Sequence, residues 1–142
     1  MEHNKEIEQI LHECGVKPTA MRVWVYRTLM QCHHALSLKQ MEERMVTADR
    51  STIFRTLNLL LKHHLIHSIE DGSGSIKYEP NTHHNDESAE DGHVHFFCEK
   101  CQHTYCLHHI NIPQVDLPED FQVLSANYIL KGLCPNCKKK NP

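Results

Sequence analysis

The spacing of apolar positions changes character near the middle of the chain. From His3 to Cys14, Ile7, Ile10 and Leu11 recur at helical intervals, and Gly15 follows, a residue suited to ending a helix. After Lys17-Pro18, Thr19 is placed to cap a second helix with Met21, Val25, Leu29 and Cys32 along one face and Arg22 and Arg27 on its exposed side. Ser37 and Gln40 have the spacing of a capping box and open a third helix whose Leu38, Met41 and Met45 turn inward. A fourth helix, capped by Asp49 or Ser51, buries Ile53, Leu57, Leu60 and Leu61 and leaves Arg50, Thr52, Arg55 and Thr56 on the opposite face.

The period then shortens. Leu65 to Glu70 and Ser75 to Glu79 read as two strands around Asp71-Gly72-Ser73-Gly74, whose glycines supply the positive φ of a tight hairpin. Helices followed by a hairpin predict a winged helix-turn-helix over residues 1–80. Residues 81–92 follow, with Asp86, Glu87, Glu90 and Asp91, no Lys or Arg, and His83 and His84; they read as an acidic hinge or loop. Beyond it, residues 93–142 carry short apolar strands at His93 to Phe97, Thr104 to Leu107 and Phe121 to Leu130, while Pro113 and Pro118 leave little room for a long helix between them. The fold class is therefore α+β, with a small second unit too poor in apolar residues to be secure without metal or dimerisation.

Composition narrows the chemistry. Among 142 residues, 39% are hydrophobic, and no apolar run approaches the length that crosses a bilayer, so no membrane partner is expected and the polar start reads as cytoplasmic. A net charge of −3 argues against indiscriminate binding to nucleic acid. Residues 1–80 hold ten basic and ten acidic side chains, so any DNA contact must rest on local patches. An exposed Arg-Thr helix face is often only solvated surface; its place before a hairpin favours DNA. No nucleophile and base, nor any carboxylate pair, suggests an enzyme.

Seven cysteines in a reducing compartment point to metal ligation rather than disulfides. Cys98-Glu99-Lys100-Cys101 and Cys134-Pro135-Asn136-Cys137 are two C-x2-C knuckles, able to deliver four thiolates to one structural Zn2+ with no open position. Just before the first knuckle, His93-Val94-His95 points two imidazoles to one face of a strand. With Cys106 on the returning strand and Glu79 at the end of the wing, they could form a second site. A histidine pair on a strand is more often polar surface, but a spare cysteine and a neighbouring knuckle weigh toward ligation.

In combination, Lys17-Pro18-Thr19-Ala20-Met21-Arg22, Ser51-Thr52-Ile53-Phe54-Arg55-Thr56-Leu57, His93-Val94-His95-Phe96-Phe97-Cys98-Glu99-Lys100-Cys101 and Gly132-Leu133-Cys134-Pro135-Asn136-Cys137 resemble the ferric uptake regulator family of bacterial metal sensors. The resemblance runs from Gly15 to Cys137. It implies a dimeric repressor that places its recognition helix in the major groove of double-stranded DNA, at a pseudo-palindromic operator, when a regulatory metal closes the hinge. Phe54 and Arg55 stand where the family has Tyr-Arg. The resemblance assigns the hinge metal to His93, His95 and Glu79, with Cys106 in place of a carboxylate and a further histidine near His33 or His34. A thiolate there favours Zn2+ over Fe2+ or Mn2+. A further family site is absent, since Gly92, Val94 and Ala126 stand at its ligand positions. Arg55 and Arg50, with Thr52, Phe54 and Thr56, are the expected DNA-reading face, and Arg22 and Lys77 the expected phosphate contacts. The alternatives are an iron-, peroxide- or haem-responsive regulator and a zinc-buffering or interaction protein that does not bind DNA.

Overall fold

The computed structural model describes residues 2–81, 93–123 and 126–139. The first helix, α1 (Glu2–Glu13), ends at Gly15, whose φ of 80° is the left-handed value its sequence position suggested. Helix α2 (Ala20–Met30) is capped by Thr19, which accepts from the Arg22 backbone N–H at 3.4 Å. A two-residue strand, β1 (Leu36–Ser37), leads into α3 (Leu38–Arg44), where Ser37 and Gln40 form both halves of the capping box. Helix α4 (Arg50–Lys62) follows Asp49, whose carboxylate accepts from the Ser51 hydroxyl and makes no capping bond.

The wing is β2 (Ile66–Glu70) and β3 (Ile76–Pro80), paired antiparallel through a turn in which Gly72 and Gly74 have φ of 85° and 90°. Strand β1 adds to the other side of β3, giving the order β1-β3-β2. In β3 three consecutive residues, Lys77, Tyr78 and Glu79, are all buried. Alternation explains this only if both faces are covered. Tyr78 joins the helical core with Tyr26, Leu29, Ile53, Leu57 and Leu60, while Lys77 and Glu79 face the second sheet.

That second sheet has the order β5-β4-β6: β4 (His93–Cys98) lies between antiparallel β5 (Thr104–Asn111) and parallel β6 (Tyr128–Gly132). The expected strand over Phe121 to Leu130 is corrected here. Residues 121–123 and 126–127 are not in a strand, and the parallel ladder runs from Val94 with Tyr128 to Cys98 with Gly132. Residues 112–118 have no regular structure, in keeping with Pro113 and Pro118. A short helix, α5 (Pro135–Lys139), carries the second knuckle and was not expected. The two sheets meet at an isolated bridge where the Ala35 N–H donates to the Thr104 carbonyl at 2.8 Å. Of the acidic tract 81–92, only Asn81 lies within the described residues.

Candidate metal centres and nucleic-acid face

The two knuckles converge. Strand β4 ends at Cys98, a turn brings Cys101 back, and the end of β6 and the start of α5 deliver Cys134 and Cys137, so the four Sγ atoms lie within 4.8 Å of one another. Backbone bonds shape the cage: Gln102 N–H donates to the Cys98 carbonyl at 2.8 Å, and Cys98 N–H donates to the His103 carbonyl at 3.0 Å. Tetrahedral thiolates about 2.3 Å from zinc would sit about 3.8 Å apart, and the Cys101 and Cys134 sulfurs are 3.9 Å apart. The donor set fits the ion. Burial raises the Cys98 thiol, yet N–H groups of Cys101, Cys134 and Lys100 outweigh it and bring it to about 6, whereas burial and neighbouring thiols push Cys137 up to about 12.

A second cluster stands where the wing meets the second sheet. Glu79 Oε1 accepts from His67 Nε2 at 2.8 Å and from His95 Nε2 at 3.1 Å, and the Cys106 thiol hydrogen-bonds the same carboxylate. The three nitrogen and oxygen donors lie within 4.8 Å of one another. Burial works to raise the Glu79 carboxyl, but the two imidazole hydrogen bonds and the His67 charge hold it at about 2. Burial, and then the Glu79 charge, push the Cys106 thiol far above its ordinary range. His95 Nδ1 is buried and has no hydrogen-bond partner among the described residues, an orphaned polar atom of the kind a ligand would satisfy.

Three of the four expected ligands of this second site are thus partly gathered: His95, Glu79 and Cys106. The side chain of His93 lies outside the described residues. His67 was missed by sequence reasoning; its signal was a histidine at the position of β2 that pairs with Glu79. His33 and His34 are near but not in the cluster: with Leu29, Cys32, Glu79 and Cys106 they line a cleft of about 340 Å³. His34 is stacked on His103, ring centroids 3.8 Å apart and planes 10° from parallel. Burial, first among the causes, lowers the tendency of both rings to take a proton.

On α4, Arg55 is exposed and lies along its own helix, donating to the Ser51 carbonyl and the Thr52 hydroxyl, each at 3.3 Å. Phe54 is 43% exposed, and Thr52 is half-buried. Arg50 pairs with Glu42 at 2.9 Å across to α3. Arg22 is half-buried and donates to the Lys17 carbonyl at 3.1 Å. Two expected members of the DNA face are corrected. Thr56 is buried, three residues from Ile53 and four from Leu60, with its hydroxyl donating to the Thr52 carbonyl at 2.8 Å. Lys77 is 3% exposed, and its ammonium is committed to the Gln102 carbonyl at 2.6 Å, the Thr104 hydroxyl at 3.1 Å and Asp71 at 2.9 Å. Neither can reach a phosphate.

The model of the family described as "Ferric uptake regulator family" matches residues 13–118, which takes in the first knuckle but not the second. No curated protein matches significantly. Among solved structures, a zinc uptake regulator complexed with zinc and DNA is similar at a TM-score of 0.67 and 18% identity, over 98% of this chain and 95% of that one. The Vibrio cholerae ferric uptake regulator follows at 0.63 and 17%, over 89% and 98%. That of Helicobacter pylori, with three functional metal binding sites, gives 0.59 and 17%, over 99% and 95%. At such identities the likeness is one of fold.

The buried Asp71–Lys77 pair makes stability depend on pH. Burial acts to raise the Asp71 carboxyl, but hydrogen bonds from Ser73, Thr104 and Lys77 hold it at about 2, below its ordinary 3.8. A depressed carboxyl stabilises the fold above its unfolded value, and that stability is lost as pH falls through the folded value. Asp71→Asn is therefore less stable than wild type above pH 3.8, and the gap closes as pH falls toward 2, as urea unfolding at stepped pH will show.

Proposed function

The chain belongs to the ferric uptake regulator family, whose members are metal-responsive DNA-binding regulators, and from that premise we propose that it is a zinc-sensing transcriptional repressor acting as a homodimer on a pseudo-palindromic operator. The observation that carries this reading is the junction cluster. His67 and Glu79 come from the wing, His95 and Cys106 from the second sheet, and the other three side chains converge on the Glu79 carboxylate. An ion held there would tie the DNA-binding part to the second unit, so its affinity for that arrangement is what shifts the population. Two imidazoles, one carboxylate and one thiol suit zinc better than manganese, which prefers oxygen. The four-cysteine cage, with no open position, is a structural zinc centre.

The dimer is supported by the apolar residues that the second unit leaves uncovered, among them Leu117 at 47%, Phe121 at 67%, Tyr128 at 39% and Leu130 at 43% exposure. So many on so small a unit call for a partner surface, and a second copy of the chain is the partner the family implies. DNA reading is assigned to α4, whose Phe54 and Arg55 face outward, with Arg50 and Arg22 as supporting cations. The fold likeness to a regulator complexed with zinc and DNA is consistent with this docking.

The deciding experiment is metal analysis of the purified protein, followed by operator binding titrated with zinc, ferrous iron and manganese; tighter activation by iron or manganese overturns the zinc assignment. Three variants follow from the geometry. Cys98→Ser loses one equivalent of zinc together with dimerisation, because binding free energy in a four-thiolate cage is folding free energy; size-exclusion chromatography with metal analysis measures both. His67→Ala keeps the cage zinc but loses zinc-dependent operator binding by tenfold or more, read by fluorescence anisotropy. Arg55→Ala, with dimer and metals intact, binds the operator more weakly by about 1–3 kcal/mol; a loss confined to one base position marks a base contact, and a uniform loss with a flatter salt dependence marks a phosphate contact.

A further inference from the structure

The side chains that join the two sheets fall in two parallel rungs. Residues two apart on a strand share a face, and the pairs His67 with Glu79 and His95 with Cys106 make the first rung, the donor cluster. The next rung is Ile69 with Lys77 and Phe97 with Thr104. Its centre is the Lys77 ammonium, which has three N–H donors and three acceptors in reach: the Gln102 carbonyl, the Thr104 hydroxyl and the Asp71 carboxylate. The Phe97 ring centroid lies 4.7 Å away. Of these partners only Asp71 belongs to the wing hairpin. One rung from where Glu79 reaches His95, Lys77 bridges the same two sheets.

We propose that Lys77 is a positioning residue for the junction metal site, a built-in cation that closes the seam without metal and holds β3 against β4 and β5 at the spacing the donor rung requires. The proposal rests on reading that rung as a zinc site. A lysine buried to 3% is uncommon and unfavourable unless fully paired. Between Ile69 and Phe97 an apolar side chain would fill the space, so packing alone does not call for an ammonium there. A fixed positive charge beside a divalent ion would oppose binding, but Asp71 stays ionised and neutralises it. The rung therefore supplies geometry without net repulsion. Its second anchor is the Gln102 carbonyl, in the turn whose N–H is bonded to Cys98, so the four-cysteine cage is linked to the wing as well. If the seam were open in most molecules, apparent metal affinity would fall by the closed fraction, with no ligand altered.

The test uses the full-length protein with the four-cysteine cage filled, titrated with zinc alone against a chromogenic chelator. Lys77→Met is expected to keep the cage equivalent and to weaken the second equivalent tenfold or more. Lys77→Arg, which keeps the charge, restores most of the affinity. Lys77→Met with Asp71→Asn binds no more weakly than Lys77→Met alone, since the pair acts as a unit. Amide hydrogen exchange before the second zinc is added should show lost protection in residues 66–80 and 93–104 of Lys77→Met with α4 unchanged. Equal second-site affinity in wild type and Lys77→Met overturns the proposal, as does loss of protection throughout α4, which would mark general destabilisation. Uptake of no second zinc by wild type would refute the site itself, and the positioning role with it.

Discussion

A carboxylate buried at the boundary between two sheets sets the terms for the rest of the molecule. Glu79 is 8% exposed, and a carboxylate in such a place becomes neutral or finds partners. It finds them on both sides: His67 from its own hairpin, His95 and Cys106 from the second sheet. Separating the sheets would strip two of those hydrogen bonds and return the charge to water. The fold is thus conditionally closed, and the condition is electrostatic rather than apolar. Lys77 repeats the solution one rung along: Asp71 of its own hairpin offsets its charge, and the Gln102 carbonyl and Thr104 hydroxyl of the second unit accept its other hydrogens.

Much of the N-terminal architecture was legible because its signals are local. The Thr19 cap, the Ser37–Gln40 box, the positive φ at Gly15, Gly72 and Gly74, and the inward positions of α4 each depend on residues within a turn of one another. The cysteine cage was legible for a different reason: C-x2-C spacing is a chemical constraint that survives ignorance of the fold. What the sequence did not disclose depends on registers between distant strands. His67 is an unremarked polar residue until it stands opposite Glu79, and the extent of β6 is set by its pairing with Val94 to Cys98 of β4. Lys77 and Thr56 were misplaced by the ordinary expectation that polar side chains face water; each is buried with its donors satisfied.

The two metal-type clusters differ in what surrounds them, and that difference assigns their roles. The cage draws all four sulfurs from the second unit, within about forty residues of chain, so an ion there would cross-link that unit. The junction cluster draws on two units, and the imidazoles and thiol give hydrogens to Glu79, while His95 Nδ1 keeps no partner among the described residues. A site with such internal substitutes can be empty and still hold together. On the proposed reading that is the property an exchangeable ion needs, whereas the cage gathers four sulfurs with no carboxylate or imidazole among them.

On the proposed zinc-sensing reading, metal preference turns on one residue of the donor set, Cys106. Were position 106 a carboxylate, the rung would offer two carboxylates and two imidazoles, a set open to manganese and ferrous iron. Cys106 instead brings a sulfur whose proton is strongly retained, because burial and the adjacent Glu79 charge both oppose the thiolate. Only an ion that bonds sulfur strongly recovers the free energy of removing that proton. On that reading a sulfur donor suits zinc better than an oxygen-preferring ion. Cys106 falls on the strand that must stay in register with His95, and the Thr104 bond to Ala35 two residues earlier holds that strand against the winged helix. The proposed sulfur donor and the contact that joins the two sheets thus share one edge strand, β5.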